Sequence, residues 1–176
     1  MLQYRFLREN EIDRELFRDF VRRQVVTNCW RKENGKWIVK EVPFIDDWTE
    51  AEYAELAEDL RNTVVTGGLV YAAFSEDRLK GFVSVESGLF GGAHKYLDLS
   101  SIHVSEEMRR QGIGAALFAE AKRWAKEHGA KKLYISAHSA VESQAFYRKM
   151  GCVEAELYHP GHVAKEPFDC QLECEV

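Results

Sequence analysis

The stretch Arg109-Arg110-Gln111-Gly112-Ile113-Gly114 joins an alternating apolar run, Tyr96 to Val104, to a segment of helical spacing, Gly112 to His128. A helix that begins there leaves its first backbone N–H groups without intrahelical partners, and an anion satisfies them. The two glycines let the main chain approach a ligand closely, the helix dipole adds partial positive charge, and Arg109 and Arg110 add full charges. This chemistry fits a diphosphate. Two common diphosphate sites are excluded by the neighbouring residues. A Rossmann turn needs Gly or Ala where Leu117 stands and an acid at the tip of the next strand, but Leu133-Tyr134-Ile135-Ser136-Ala137-His138 ends without one. A Walker loop needs Gly-Lys-Ser or Gly-Lys-Thr, and the chain contains neither.

Outward from this turn, Leu69 to Phe74 and Leu79 to Glu86 flank Ser75-Glu76-Asp77-Arg78 and predict an antiparallel hairpin, with Tyr96 to Val104 as a third strand. After the turn come a helix from Gly112 to His128 with Gly129 beyond its end, a strand from Lys132 to Ala137, and a helix from Val141 to Met150 with Gly151 beyond. Strands over Cys152 to Tyr158 and Phe168 to Glu175 close the chain. Toward the N-terminus, Gln3 to Arg8 alternates as a first strand. Asn10 caps a helix from Glu11 to about Gln24, with Ile12, Leu16, Phe17 and Phe20 on one face. Cys29 to Trp48 is irregular, with Asn34-Gly35 as a turn signal, and Thr49 with Glu52 makes a capping box for a helix running to about Val65, stopped by Gly67-Gly68. The order predicts an α/β (α+β) fold: one domain over residues 1–176, with a mixed, mostly antiparallel sheet and helices on both faces.

A chain of 176 residues is long enough to bury a core. Its net charge of −5 argues against nucleic acid and anionic membrane and suits a cationic substrate. Cys29, Cys152, Cys170 and Cys174 are scattered without metal spacing, and no apolar segment follows Met1-Leu2-Gln3-Tyr4-Arg5, so reduced thiols in a cytoplasm are expected. His159-Pro160-Gly161-His162 is a metal-like cluster that Cys152 or Cys170 would complete, but a Pro-Gly pair marks a surface turn first, and no metal is expected. A homodimer stays open.

The chain resembles the GNAT acetyltransferase superfamily. Arg109-Arg110-Gln111-Gly112-Ile113-Gly114 is similar to its acetyl-CoA motif, and Phe146-Tyr147-Arg148-Lys149-Met150-Gly151-Cys152 to its second element, an aromatic-Tyr pair before x-x-Gly-aromatic. The likeness is firm over residues 69–152, which would form the acetyl-CoA-binding core. Two positions depart from the pattern. Ala140 stands where the family often carries a cofactor-contacting Asn, leaving Ser139 or Ser143 as stand-ins, and Cys152 stands where Phe is usual.

The resemblance implies an acetyl-CoA-dependent N-acetyltransferase. Backbone groups of Ile102, His103 and Val104 would hold the pantetheine arm and polarise the thioester, and residues 109–114 with Ala115 would cradle the pyrophosphate. Tyr147 would protonate the leaving sulfur, since a phenol of pKa about 10 matches a thiolate of about 8.5. Freeing a primary amine of pKa about 10.4 at neutral pH costs roughly 4 to 5 kcal/mol, which calls for a base. Asp98 falls where histone acetyltransferases of this family place theirs, with Glu86 in reserve. Substrate choice would lie with Cys29 to Trp48 and Tyr158 to Phe168, where Trp30, Trp37 and Trp48 either floor a pocket with Asp46 and Asp47 or form a covering flap. The acceptor is a small-molecule or peptide amine. The alternative is a non-catalytic acyl-CoA sensor on the same fold, and a third, distant reading is a flavin- or nucleotide-binding α/β domain.

Overall fold

The computed structural model describes residues 1–176. Its strands are β1 (Leu2–Phe6), β2 (Arg23–Glu33), β3 (Lys36–Asp47), β4 (Leu69–Ser75), β5 (Arg78–Val85), β6 (Tyr96–Val104), β7 (Lys132–Ala137), β8 (Val153–Glu154) and β9 (Cys170–Glu175). The helices are α1 (Glu50–Val65), α2 (Ile113–Glu127), α3 (Val141–Lys149) and α4 (Pro160–Lys165). Seven strands form one sheet in the order β1-β4-β5-β6-β7-β9-β8, antiparallel at every pairing except β6 with β7. This is the expected mixed, mostly antiparallel sheet.

Strand alternation sorts the core onto two faces. Leu69, Ala73, Val83, Leu97, Leu99, Leu133 and Ile135 pack with α2, which contributes Ile113, Leu117, Phe118, Ala121 and Ala125. Val70, Ala72, Phe74 and Phe82 face the other way, against Tyr53, Ala57 and Leu60 of α1. At the start of α1 both halves of the capping box are made: the Glu52 N–H donates to Thr49 Oγ1 (3.3 Å) and the Thr49 N–H to the Glu52 carboxylate (2.7 Å). The β4–β5 turn puts Glu76 and Asp77 at φ 51° and 60°, a two-residue hairpin turn that matches the twist of its strands.

Three expectations are corrected. Residues 11–24 do not form a helix. They make two short 3-10 turns, Glu9–Glu11 and Glu15–Phe17, before the chain enters β2. Ile12, Phe17 and Phe20 are buried as their spacing suggests, but against Phe82 and Tyr53, and one-turn segments suffice to aim them. The Asp13 carboxylate accepts the Leu16 N–H, and β-branched Val25, Val26 and Thr27 favour extension beyond. Residues 29–48 are not irregular. They belong to a long two-stranded ribbon, β2–β3, whose turn is Asn34-Gly35. The strand expected over Cys152 to Tyr158 shrinks to Val153–Glu154, and Pro160, at the first position of a helix where no N–H is needed, opens α4.

Candidate active site

β6 and β7 run side by side at only three registers, Tyr96↔Lys132, Leu97↔Leu133 and Asp98↔Tyr134. Beyond Asp98, β6 stays with β5 as far as Val104↔Gly81, while β7 follows β9 to Ala137↔Cys170. The sheet therefore splits into a V whose apex is Asp98/Tyr134. A bulge sets the divergence: pairing jumps from Val85↔Leu99 to Ser84↔Ser101, and Ser84 Oγ lies within hydrogen-bond reach of both Ser100 and Ser101 (2.7 and 2.5 Å). From Leu99 to Val104, β6 has no strand on its β7 side. An open edge in mid-sheet offers main-chain hydrogen bonds to an extended ligand.

The turn lies at the wide end of this V. Arg110 and Gly112 both take left-handed φ, 63° and 83°, and Gly112 precedes α2 as an N-cap with no capping side chain. The first backbone bond of the helix is from the Ala116 N–H to the Gly112 carbonyl, so the N–H groups of Ile113, Gly114 and Ala115 have no acceptor in the chain. A Cβ on Gly112 would meet nothing within 4 Å, whereas one on Gly114 would stand 3.1 Å from the Phe146 ring. The two glycines thus differ. Gly112 keeps the approach open and Gly114 makes room for Phe146. Arg109 is partly buried and donates from Nε to the Val104 carbonyl (3.3 Å), Arg110 is exposed, and the Ile113 side chain lies in the core. An uncapped N-terminus on a 15-residue helix beside two arginines fits a pyrophosphate.

Tyr147, on α3, packs on the α2 side of the sheet, its ring 5.3 Å from that of Phe146. Its hydroxyl has no hydrogen-bond partner in the chain, and burial raises its pKa, so the phenol stays protonated at neutral pH. Ser143 accepts a hydrogen bond from Gln24 (3.3 Å), and Ser139 one from Arg31 (2.7 Å). Of the tryptophans, Trp48 sets its ring 4.7 Å from His103, while Trp30 and Trp37 cover the α2-side core.

On the α1 side of the apex lies a cavity of about 360 Å³ whose wall includes Asp59, Glu86, Asp98, Ser136, His162 and Asp169. Asp98 Oδ2 is bonded to His162 Nε2 (2.8 Å), and Asp98 Oδ1 is buried without a partner. The His162 ring stacks on Tyr134 (5.9 Å, 17°), and the hydrogen bond to Asp98 raises its pKa against the opposing effect of burial. Glu86 accepts from Thr63 and Ser100 hydroxyls, both at 2.7 Å. Burial raises the pKa of Asp59 and of Asp169 from the ordinary carboxylate value. The sequence carries no signal that pairs His162 with Asp98, because 64 residues separate them; the His-Pro-Gly-His run reads only as a metal-like cluster or a turn. No group of three His, Cys, Asp or Glu side chains is arranged to hold a metal ion.

The Acetyltransferase (GNAT) family matches residues 11–152. The chain belongs to the GNAT acetyltransferases, and its acetyl donor is acetyl-CoA. It is 26% identical over 139 residues to streptothricin acetyltransferase A of Bacillus subtilis (strain 168), covering 76% of this chain and 78% of that protein. A Bacillus anthracis str. Ames protein provisionally named a streptothricin acetyltransferase, solved in complex with acetyl coenzyme A, shares its fold at TM-score 0.73 and 18% identity, covering 100% of this chain and 99% of that one. Nourseothricin acetyltransferase superposes at TM-score 0.70 and 19% identity over 99% and 98% of the two chains. No helix is long and apolar enough to cross a membrane.

Proposed function

We propose that this chain transfers the acetyl group of acetyl-CoA to a primary amine of a small cationic molecule, by direct attack on the thioester. The observation that carries the reading is the V between β6 and β7, with the uncapped α2 turn at its wide end and the Asp98–His162 pair at its apex. The amides of Ile113, Gly114 and Ala115, with Arg109, hold the pyrophosphate. The open edge of β6 at Ile102, His103 and Val104 holds the pantetheine arm and polarises the acyl carbonyl.

His162, oriented by Asp98 through Nε2, takes a proton from the substrate ammonium on Nδ1, and the neutral nitrogen so formed attacks the acyl carbon. The C–S bond breaks, Tyr147 gives its proton to the sulfur, and the second proton of the acylated nitrogen passes to the Tyr147 oxygen. Asp59, Glu86 and Asp169 attract the cation, whose charge would stabilise the ionised forms of Asp59 and Asp169. The relatives' names put streptothricin-class compounds first among acceptors to test, ahead of polyamines and peptide N-termini.

The test is the rate of CoA release from acetyl-CoA, followed with a thiol reagent, across such a panel. Acceleration by at least one amine is expected. Measurable acetyl-CoA binding with no acceleration by any amine would contradict transfer and favour the sensor reading.

A further inference from the structure

Two charged residues are almost wholly buried, Glu173 and Arg22, at 4% and 6% exposure. Glu173 is fully met: it accepts from the Tyr96 hydroxyl, the Lys132 ammonium and the Glu156 N–H. Arg22 is not. It lies just before β2, its main chain pinned by the Tyr53 hydroxyl (3.1 Å) and the Trp48 N–H (3.2 Å). Its Nε donates to His103 Nδ1 (3.2 Å) and its Nη2 to Asp46 (3.0 Å) and Gln24 (3.4 Å), but Nη1 is buried with no acceptor. Nε and Nη2 share one edge of the planar guanidinium, so Nη1 projects from the other. An unmet donor on a buried cation is costly, and a ligand that completes it removes the cost.

The surroundings say which ligand. His103 belongs to the stretch of β6 that lacks a β7 partner, between the apex and the α2 turn. Gln24, beside Arg22, also reaches Ser143 on α3, four residues before Tyr147. The base of the β2–β3 ribbon therefore bridges the two walls of the cleft. Burial and the charge of Arg22 hold His103 neutral, which keeps its Nδ1 available as an acceptor.

We propose that Arg22 is a donor-binding residue, whose free Nη1–H donates to a carbonyl oxygen on the pantetheine arm of acetyl-CoA while Asp46 and His103 hold the guanidinium in place. The proposal rests on the acetyl-CoA reading of the cleft above. It separates the work of two arginines: Arg109 serves the phosphates at the turn, and Arg22 serves the arm between turn and apex.

Calorimetric titration of the wild type, Arg22→Met and Arg22→Lys with CoA, acetyl-CoA and adenosine 3′,5′-bisphosphate, which lacks the arm, tests it. Arg22→Met should bind CoA and acetyl-CoA at least about tenfold more weakly, the usual loss for a hydrogen bond from a charged donor. Its affinity for the bisphosphate should stay the same. Arg22→Lys, which retains the charge facing Asp46, keeps the ribbon docked and should still lose CoA affinity, because an ammonium cannot serve Asp46, His103 and the arm at once. Unchanged CoA affinity in Arg22→Lys, or equal losses for CoA and the bisphosphate, would overturn the proposal. Failure of the wild type to bind acetyl-CoA would instead sink the reading beneath it.

Discussion

On the α2 side of the cleft, the groups proposed to serve the donor come from two short runs, residues 109–115 and 146–147. On the α1 side, Asp59, Glu86, Asp98, His162 and Asp169 converge from α1, the end of β5, β6, α4 and the approach to β9. The first side uses main-chain N–H groups at a helix start, so its chemistry is local in sequence. The second uses side chains brought together only by the sheet's crossover. The contrast predicts that the cradle and the acidic cluster fail separately: damage to residues 109–115 should alter donor affinity, damage to the α1 side the chemistry of the acceptor.

The largest effect is expected from His162→Ala, which should lower kcat/KM for the amine by about a thousandfold, within the range for loss of a general base. Acetyl-CoA affinity measured by calorimetry should not move. A parallel loss of affinity would break the division between the sides. Tyr147→Phe should reduce kcat by about a hundredfold. It removes one hydroxyl that has no partner in the chain, so affinity and melting temperature should hold. An unchanged rate would strip Tyr147 of its role as proton donor.

Gly112→Val works in the opposite sense. Its left-handed φ strains any side chain, and the added methyls occupy the open approach to the amides, so the Kd for acetyl-CoA should rise about tenfold or more while KM for the amine stays near its original value. Normal donor affinity would count against the cradle. The smallest effect is a shift in pH dependence. Asp98 raises the pKa of His162 above the ordinary 6.5, and His162 works as a base only when neutral, so the wild-type rate should climb as pH rises through that elevated value. In Asp98→Asn the raising partner is gone and burial remains, so the climb should move to lower pH, toward a lower plateau. The same ion pair stabilises the fold fully below pH 6.5 and ceases to do so as pH rises through the raised value. A limb that stays in place in Asp98→Asn would show that His162 is not the titrating group.

What was legible followed the same division. Thr49 with Glu52 and Gly112 each carry a local physical signal, and each stands in the structure where the sequence puts it. The N-terminal segment misled because Ile12, Phe17 and Phe20 satisfy a helical period, yet their burial is arranged by Phe82 and Tyr53, residues far along the chain. The β2–β3 ribbon hid because apolar Val25, Ile38, Val39 and Ile45 face solvent and erase the alternation that marks a half-buried strand. His162 was visible as a residue and invisible as a partner: only the path from β7 through α3, β8 and α4 carries it to Asp98.

Whether the acetyl group ends on nitrogen is read from the product itself. Wild-type protein, carbonyl-labelled acetyl-CoA and a streptothricin-class acceptor would be combined and the product examined by NMR. One acetamide is expected, formed at the rate of CoA release and about a thousandfold more slowly with His162→Ala. A labelled ester, or no labelled product although acetyl-CoA binds, would contradict transfer to nitrogen.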